Sequence, residues 1–69
     1  MAEIKVFHDR KGQTLTVWFA DPGREYVCEE TGEQIVLMKD RDGNVIGLEK
    51  LNFQTSDTEV LRVAVETAA

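Results

Sequence analysis

The sequence predicts a mainly β protein of five or six short antiparallel strands, arranged as a meander sheet or a small barrel. Asp42-Gly43 stands between an apolar run over 35–38 and a second β-rich run over 45–53. A glycine between two such runs favours a hairpin, because glycine tolerates the positive φ angle of tight hairpin turns. Much of the remaining chain alternates apolar and polar residues, which is the period of a strand.

The first two strands are predicted on either side of a turn at 9–12. Alternate residues of the first strand share one face: Ile4, Val6 and His8. The second strand, 14–19, is rich in β-branched and aromatic residues, which favour extended backbone. Its Val17 belongs to one face of the sheet and Trp18 to the other, because successive strand residues point in opposite directions.

The third strand is predicted over 25–30, near an edge of the sheet, where its charged side chains discourage further pairing. A turn at Thr31-Gly32 then leads to the fourth strand. Gly47 lies inside the fifth strand, although glycine weakens strands. We therefore expect a bulge at Gly47, or the close approach of Trp18 or another large side chain from a neighbouring strand.

The fourth strand is apolar on both faces, and the fifth nearly so. Such a pattern is typical of central strands that are covered on both sides. One flat sheet of a single short chain cannot cover both of its own faces. The sequence therefore predicts that the sheet curls into a barrel or that a second subunit packs on it.

The last segment has two competing interpretations, separated from the fifth strand by a loop at 54–58. Ser56 and Glu59 have the spacing of a capping box, which predicts a short helix from Asp57 to Ala68. Leu61, Val63 and Val65 instead alternate with their neighbours, and valines slightly disfavour a helix. The alternation favours a sixth strand, with the helix as the alternative.

Length and cysteine content predict a single domain, 1–69, that assembles with copies of itself. A chain of 69 residues buries only about 60% of its unfolded surface. Small folds usually add disulfides, a metal or a partner chain. One cysteine and one histidine exclude an internal disulfide and offer few metal ligands. We therefore expect a homodimer or higher homo-oligomer, with these candidate interface residues: Trp18, Val36, Met38, Ile46 and Leu48.

The charge balance restricts the partners. Thirteen acidic residues face eight basic ones, for a formal charge of −5, which argues against nucleic acid and anionic membrane surfaces. The balance fits a soluble protein or one that binds a basic protein. The first residues lack the apolar core of a signal peptide, and a single free thiol suits a reducing compartment. A cytoplasmic location is the expectation.

No sequence motif predicts a catalytic, cofactor or metal site. The stretch 40–44 resembles the start of a calcium loop, but Val45 and Leu51 occupy positions where that loop needs glycine and glutamate. Cys28 beside Glu29 and Glu30 is disfavoured as a thiolate, alone or paired with His8. The acidic group of 25–33 is interpreted as a solvated face, or as a surface for a basic partner.

Two segments resemble the signatures of a family of small bacterial proteins, catalogued as domain of unknown function twenty-two eighty-three. The segments are 8–19 and 42–51, and the second is the more specific. The resemblance covers about Ile4 to Phe53. It identifies these positions of the family motif: Asp9, Asp42, Gly43, Gly47 and Glu49. His8 and Gln13 depart from the pattern, which has tyrosine and aspartate there.

The resemblance implies a small β-rich protein without an established activity, and an antitoxin role for members encoded beside a predicted toxin. Together with the residues, it predicts a non-enzymatic protein that self-assembles and binds a protein partner. The first alternative is an antitoxin-like neutraliser of a small basic toxin. The second is a hydrolytic enzyme in which Asp9, Glu49 and His8 converge within hydrogen-bond reach.

Overall fold

A computed structural model describes residues 2–56 and 58–69. Five antiparallel strands form one open sheet: β1 (Lys5–Asp9), β2 (Thr14–Trp18), β3 (Val27–Glu30), β4 (Ile35–Lys39) and β5 (Val45–Lys50). Their order in the sheet is β1-β2-β5-β4-β3. The prediction of a mainly β fold is confirmed, and so is the edge position of β3. The barrel alternative is wrong, because β1 and β3 remain separate edges.

The β4–β5 hairpin forms at the predicted Asp-Gly turn, and Asp40 organises it. The Asp40 carboxylate accepts hydrogen bonds from the backbone N–H groups of Asp42 (3.0 Å) and Asn44 (2.9 Å). Gly43 has φ of 83°, a backbone conformation that side chains with a Cβ rarely adopt. Only 5% of Asp40 is exposed. A local network of hydrogen bonds therefore fixes the register of the two central strands.

The strand register divides the side chains between two faces, here called the Trp18 face and the Val17 face. Neighbours across the strands share a face, and successive residues along a strand alternate. The strand residues of the Trp18 face include Lys5, Phe7, Asp9, Thr14, Thr16, Trp18, Cys28, Glu30, Val36, Met38, Gly47 and Glu49. Those of the Val17 face include Val6, His8, Leu15, Val17, Val27, Glu29, Ile35, Leu37, Leu48 and Lys50.

The five predicted interface residues consequently belong to two surfaces. Trp18, Val36 and Met38 lie on the Trp18 face. Leu48 lies on the Val17 face, together with Ile46, which precedes it by two residues and is 4% exposed. The apolar pattern of β4 and β5 showed that both faces need cover, but it did not show which residues share a face across strands.

Gly47 is required because the indole ring of Trp18 lies against it. A Cβ atom at position 47 would be 2.7 Å from Trp18 Cε3 and 3.0 Å from the carbonyl oxygen of Val17. The register of β4 and β5 also shifts between Met38 and Lys39. The close approach of Trp18, one of the two expected reasons for this glycine, is confirmed, whereas the register shift lies beside Gly47 and not at it.

The interior of the fold is thin. Met38 and Ile46 are the buried apolar residues of the described chain, each 4% exposed. The accessible surface is 5727 Å², whereas a compact monomer of 7.8 kDa exposes about 4,400 Å². The radius of gyration is 13.3 Å, against about 11 Å for a compact domain of this length. The principal-axis extents of the chain are 40 × 34 × 20 Å.

The chain after β5 forms neither of the predicted elements. Phe53 N–H donates to the Gln13 carbonyl (2.7 Å), and Ser56 and Glu59 exchange two hydrogen bonds in a single turn. Residues 58–69 then continue without strand or helix, so the sixth strand is wrong. No helix forms over 58–68, so the helix alternative is wrong for these residues as well. Asp57, the first residue of the predicted helix, lies outside the described residues. Half of the capping box forms, but the β-branched residues behind it do not continue the helix.

Substituting Gly47→Ala is expected to lower the free energy of unfolding by about 1–3 kcal/mol, because the new Cβ overpacks the contact with Trp18. Urea denaturation followed by circular dichroism measures this. The same substitution in a Trp18→Leu background is expected to cost less, since the colliding ring is absent. An equal cost in both backgrounds would show that the indole does not require glycine at this position.

Candidate functional site

The Trp18 face contains a groove with a cavity volume of about 310 Å³, here called the Trp18 groove. Side chains of all five strands and of the segment before β3 line it: Phe7, Thr16, Trp18, Glu25, Cys28, Val36, Met38 and Glu49. The groove crosses the sheet, so it exists only because the strands are paired in this order. It is the candidate functional site of the molecule.

The apolar part of the groove is built on the two central strands. Met38 on β4 is buried, and it lies opposite Gly47 on β5. The missing side chain of Gly47 leaves the space in which the Trp18 indole lies. Phe7 on the edge strand β1 is 64% exposed. An aromatic surface above a buried methionine is therefore presented at one side of the sheet.

Glu49 places a carboxylate in the middle of this apolar surface. It lies on the central strand β5, opposite Thr16 on one side and Val36 on the other. It is half-buried. None of the described residues forms a hydrogen bond or an ion pair with its carboxylate. Glu49 is therefore a charged residue of the groove without an ion-pair partner in the described chain.

Glu25 and Cys28 form the opposite wall. The Cys28 thiol donates a hydrogen bond of 2.6 Å to Glu25 Oε2. This hydrogen bond is the main cause that raises the pKa of Cys28 above its ordinary value of 9.0, followed by desolvation and by the charges of Glu25 and Glu49. The thiol is therefore favoured in its protonated form, in which it acts as a donor. The residues responsible are Glu25 and Glu49, and not Glu29 and Glu30, which the sequence predicted.

The structure does not bring together Asp9, Glu49 and His8, the residues of the hydrolytic alternative. His8 lies on the Val17 face, where its ring packs edge-on against Phe53 at 5.4 Å between centroids. Asp9 accepts a 2.8 Å hydrogen bond from Gly12 N–H within the β1–β2 turn. The strand pairing aligns Phe7 of β1 with Glu49 of β5, so these two residues share a face. His8 is the next residue along β1, and it therefore lies on the opposite face from Glu49. For the same reason His8 does not pair with Cys28.

The remaining motif positions have turn-forming roles or lie beside a turn. Asp42 contributes its backbone N–H to Asp40, and Gly43 supplies the positive φ angle. The pKa of Asp40 is lowered chiefly by the backbone hydrogen bond from Asn44, with the Arg24 guanidinium at 3.3 Å as a smaller cause. Across residues 2–56 and 58–69, no group of three metal-ligating side chains could hold an ion.

Two features of the site were not predicted from the sequence. Glu25 was assigned to the third strand, but it follows a 3₁₀ turn over Pro22–Arg24, and β3 begins only at Val27. Phe7 was assigned to β1 but not to the site. The sequence indicates a turn at Asp21-Pro22-Gly23. It does not indicate that this turn places Glu25 beside Cys28, because that placement depends on the pairing of β3 with β4.

The family described as protein of unknown function (DUF2283) matches residues 5–54. The chain belongs to this family. The matched segment begins with β1 and ends four residues after β5, so the family domain is the five-stranded sheet with its groove. The predicted resemblance is confirmed over nearly the same residues. Searches of curated proteins and of solved structures gave no match. No helix in the described part of the chain is long and apolar enough to cross a membrane.

Substituting Asp40→Asn is expected to lower the urea midpoint at neutral pH and to flatten its dependence on acid. The folded pKa of Asp40 lies below the ordinary 3.8, so its ionised form stabilises the fold. This contribution is complete above the unfolded pKa and is lost as the pH falls through the folded pKa. Urea midpoints from about pH 5 to about pH 2 test this. Asp42→Asn is the control, and an equally flat profile there would contradict the assignment.

Substituting Glu25→Gln is expected to speed alkylation of Cys28 by iodoacetamide at pH 8 severalfold. Removing the charge of the accepting carboxylate lowers the thiol pKa and raises the reactive thiolate fraction. Mass spectrometry of timed samples measures the rate. Glu33→Gln, in the turn before β4, is the control and should leave the rate unchanged. Equal rates in all three proteins would mean that Glu25 does not hold the thiol.

Proposed function

We propose that this chain is a small cytoplasmic, non-enzymatic protein whose copies associate as a homodimer through the Val17 face. The observation that carries the proposal is the excess of accessible surface, about 1,300 Å² over a compact monomer of the same mass. A standard interface buries about 800 Å² on each partner. The surface that one copy leaves uncovered is therefore enough for one interface.

Charge favours the Val17 face for this contact. Its centre is apolar, and its strand residues include Leu15, Val17, Ile35, Leu37 and Leu48. The charged groups at its margin already have partners within the same chain. Lys39 Nζ contacts Glu29 Oε2 at 2.9 Å, and Lys50 Nζ donates a hydrogen bond to the Leu51 carbonyl. A two-fold interface places each patch against its own copy, so an uncharged patch is suited to it.

The Trp18 face is less suited to contact with its own copy. It contains Glu30 and Glu49, with Glu25 at its rim, against one lysine, Lys5. A two-fold contact there would bring like charges together, which is unfavourable. The single free thiol of Cys28 is consistent with a reducing compartment, which supports the cytoplasmic location.

Val6 and Phe7 provide a matched test, because they are neighbours on β1 that point to opposite faces. Val6 is 39% exposed and Phe7 is 64% exposed, so lysine fits at either position without unfolding the sheet. Val6→Lys is expected to raise the dimer dissociation constant about tenfold or more, and Phe7→Lys to leave it nearly unchanged. Sedimentation equilibrium measures both, and Val27→Lys on β3 repeats the test at the other edge.

Two results would overturn the proposal. The first is a wild-type chain that sediments as a monomer at micromolar concentration. The second is a dimer that Phe7→Lys disrupts and Val6→Lys does not, which would assign the interface to the Trp18 face. Circular dichroism of each variant establishes that the sheet is retained.

A second candidate function is the binding of a small basic protein. The most specific version of this function is the neutralisation of a basic toxin, as an antitoxin does. The unpaired Glu49 carboxylate favours it, because an opposite charge from a partner would compensate the carboxylate. This candidate predicts an adjacent gene for a small basic protein whose product binds the chain more weakly as salt increases. Isothermal titration at low and high salt measures this. An adjacent gene product that does not bind would contradict it.

A further inference from the structure

We propose that the Trp18 groove binds the arginine side chain of a basic polypeptide, with the guanidinium stacked on Trp18 and paired with Glu49. This inference rests on the second candidate function and specifies its site. It does not depend on self-association, which concerns the other face of the sheet.

The first support is the uncompensated charge of Glu49. Glu49 is a half-buried residue on the central strand, between Thr16 and Val36, and its carboxylate has no ion-pair partner in the described chain. A cation delivered by a partner would form a partly buried ion pair with this carboxylate, which is stronger than an exposed one.

The second support is the aromatic surface beside that charge. Trp18 pairs with Gly47, and Thr16 pairs with Glu49, so the indole and the carboxylate are diagonal neighbours across β2 and β5. Diagonal pairs on a sheet are about 7–8 Å apart, within reach of one long side chain. Tryptophan is the best aromatic partner for a cation. One planar guanidinium can therefore contact the ring and the carboxylate together.

Arginine fits this arrangement better than lysine. Its guanidinium stacks on aromatic rings and forms bidentate hydrogen bonds with carboxylates, whereas a lysine ammonium is a compact and strongly hydrated charge. Glu25 offers a second carboxylate on the far wall, beyond Cys28. The groove volume of about 310 Å³ is at the small end of the range of about 300–1,000 Å³ for ligand sites, which suits a single side chain.

Three cations of this chain that lie near the groove or its walls are already engaged. Arg24 contacts Asp40 at 3.3 Å, and Arg41 lies 5.0 Å from the centre of the Tyr26 ring. Lys5 lies beside Trp18 in the register, and it contacts Glu3 at 4.0 Å. The cation that compensates Glu49 is therefore expected from another molecule.

A titration of the isotopically labelled full chain tests the proposal with a blocked Gly-Arg-Gly peptide as the probe. The Trp18 indole N–H signal and the amides of 47–49 are expected to shift, with a dissociation constant of about 1 mM. A peptide with citrulline, which has the shape of arginine without its charge, should bind about tenfold more weakly or not at all. The lysine peptide should bind more weakly than the arginine peptide.

Glu49→Gln and Glu29→Gln are the matched variants. Glu49→Gln is expected to weaken the binding of the arginine peptide about tenfold. Because the substitution removes an unpaired charge, the urea midpoint is expected to stay equal or to rise. Glu29→Gln removes a charge from the other face and should leave the affinity unchanged. A purely structural role of Glu49 would lower the urea midpoint, so the two readouts separate binding from folding.

Two kinds of result would overturn the inference. Equal binding to wild type and Glu49→Gln, or shifts spread over both faces, would show general attraction to an acidic protein. Equal binding of the citrulline or lysine peptide would refute recognition of the guanidinium. The groove could bind the arginine peptide although the chain does not bind the product of the neighbouring gene. That result would support the inference and reject only the antitoxin form of the second candidate function.

Discussion

A single five-stranded sheet has two faces, and this chain has too few residues to cover both. The buried apolar residues of the described chain are one on each face, Met38 and Ile46. The chain beyond β5 lies partly against β1, where Leu61 and Val63 share a cavity with Val6 and His8. Both faces remain accessible to other molecules.

The two faces of the sheet carry different kinds of side chain. The Val17 face is apolar at its centre, and its marginal lysines are bound within the chain. The Trp18 face combines a tryptophan with an unpaired carboxylate. An apolar surface is better suited to contact with its own copy than an acidic surface is. This division of residues between the faces is the basis of the two kinds of partner that we propose.

The contact between Trp18 and Gly47 connects the fold with the groove. Without a side chain at Gly47, the indole can lie close against β5, on the same face as Met38. With a Cβ there, the ring would have to move away from the sheet, and the groove would lose its aromatic floor. The glycine of the family motif is thus explained by packing, and it also determines the shape of the candidate site.

The sequence alone determined the fold class, both ends of all five strands to within three residues, the Asp42-Gly43 turn, the edge position of β3 and a reason for Gly47. These features depend on local alternation and turn chemistry, which neighbouring residues specify. Only the tertiary structure decided that β2 lies beside β5, that Ile46 and Trp18 belong to different faces, and that Glu25 returns to Cys28. It also decided that alternation in 60–65 produces no strand. These outcomes depend on pairing between distant segments, and a strand requires a partner that its own sequence cannot supply.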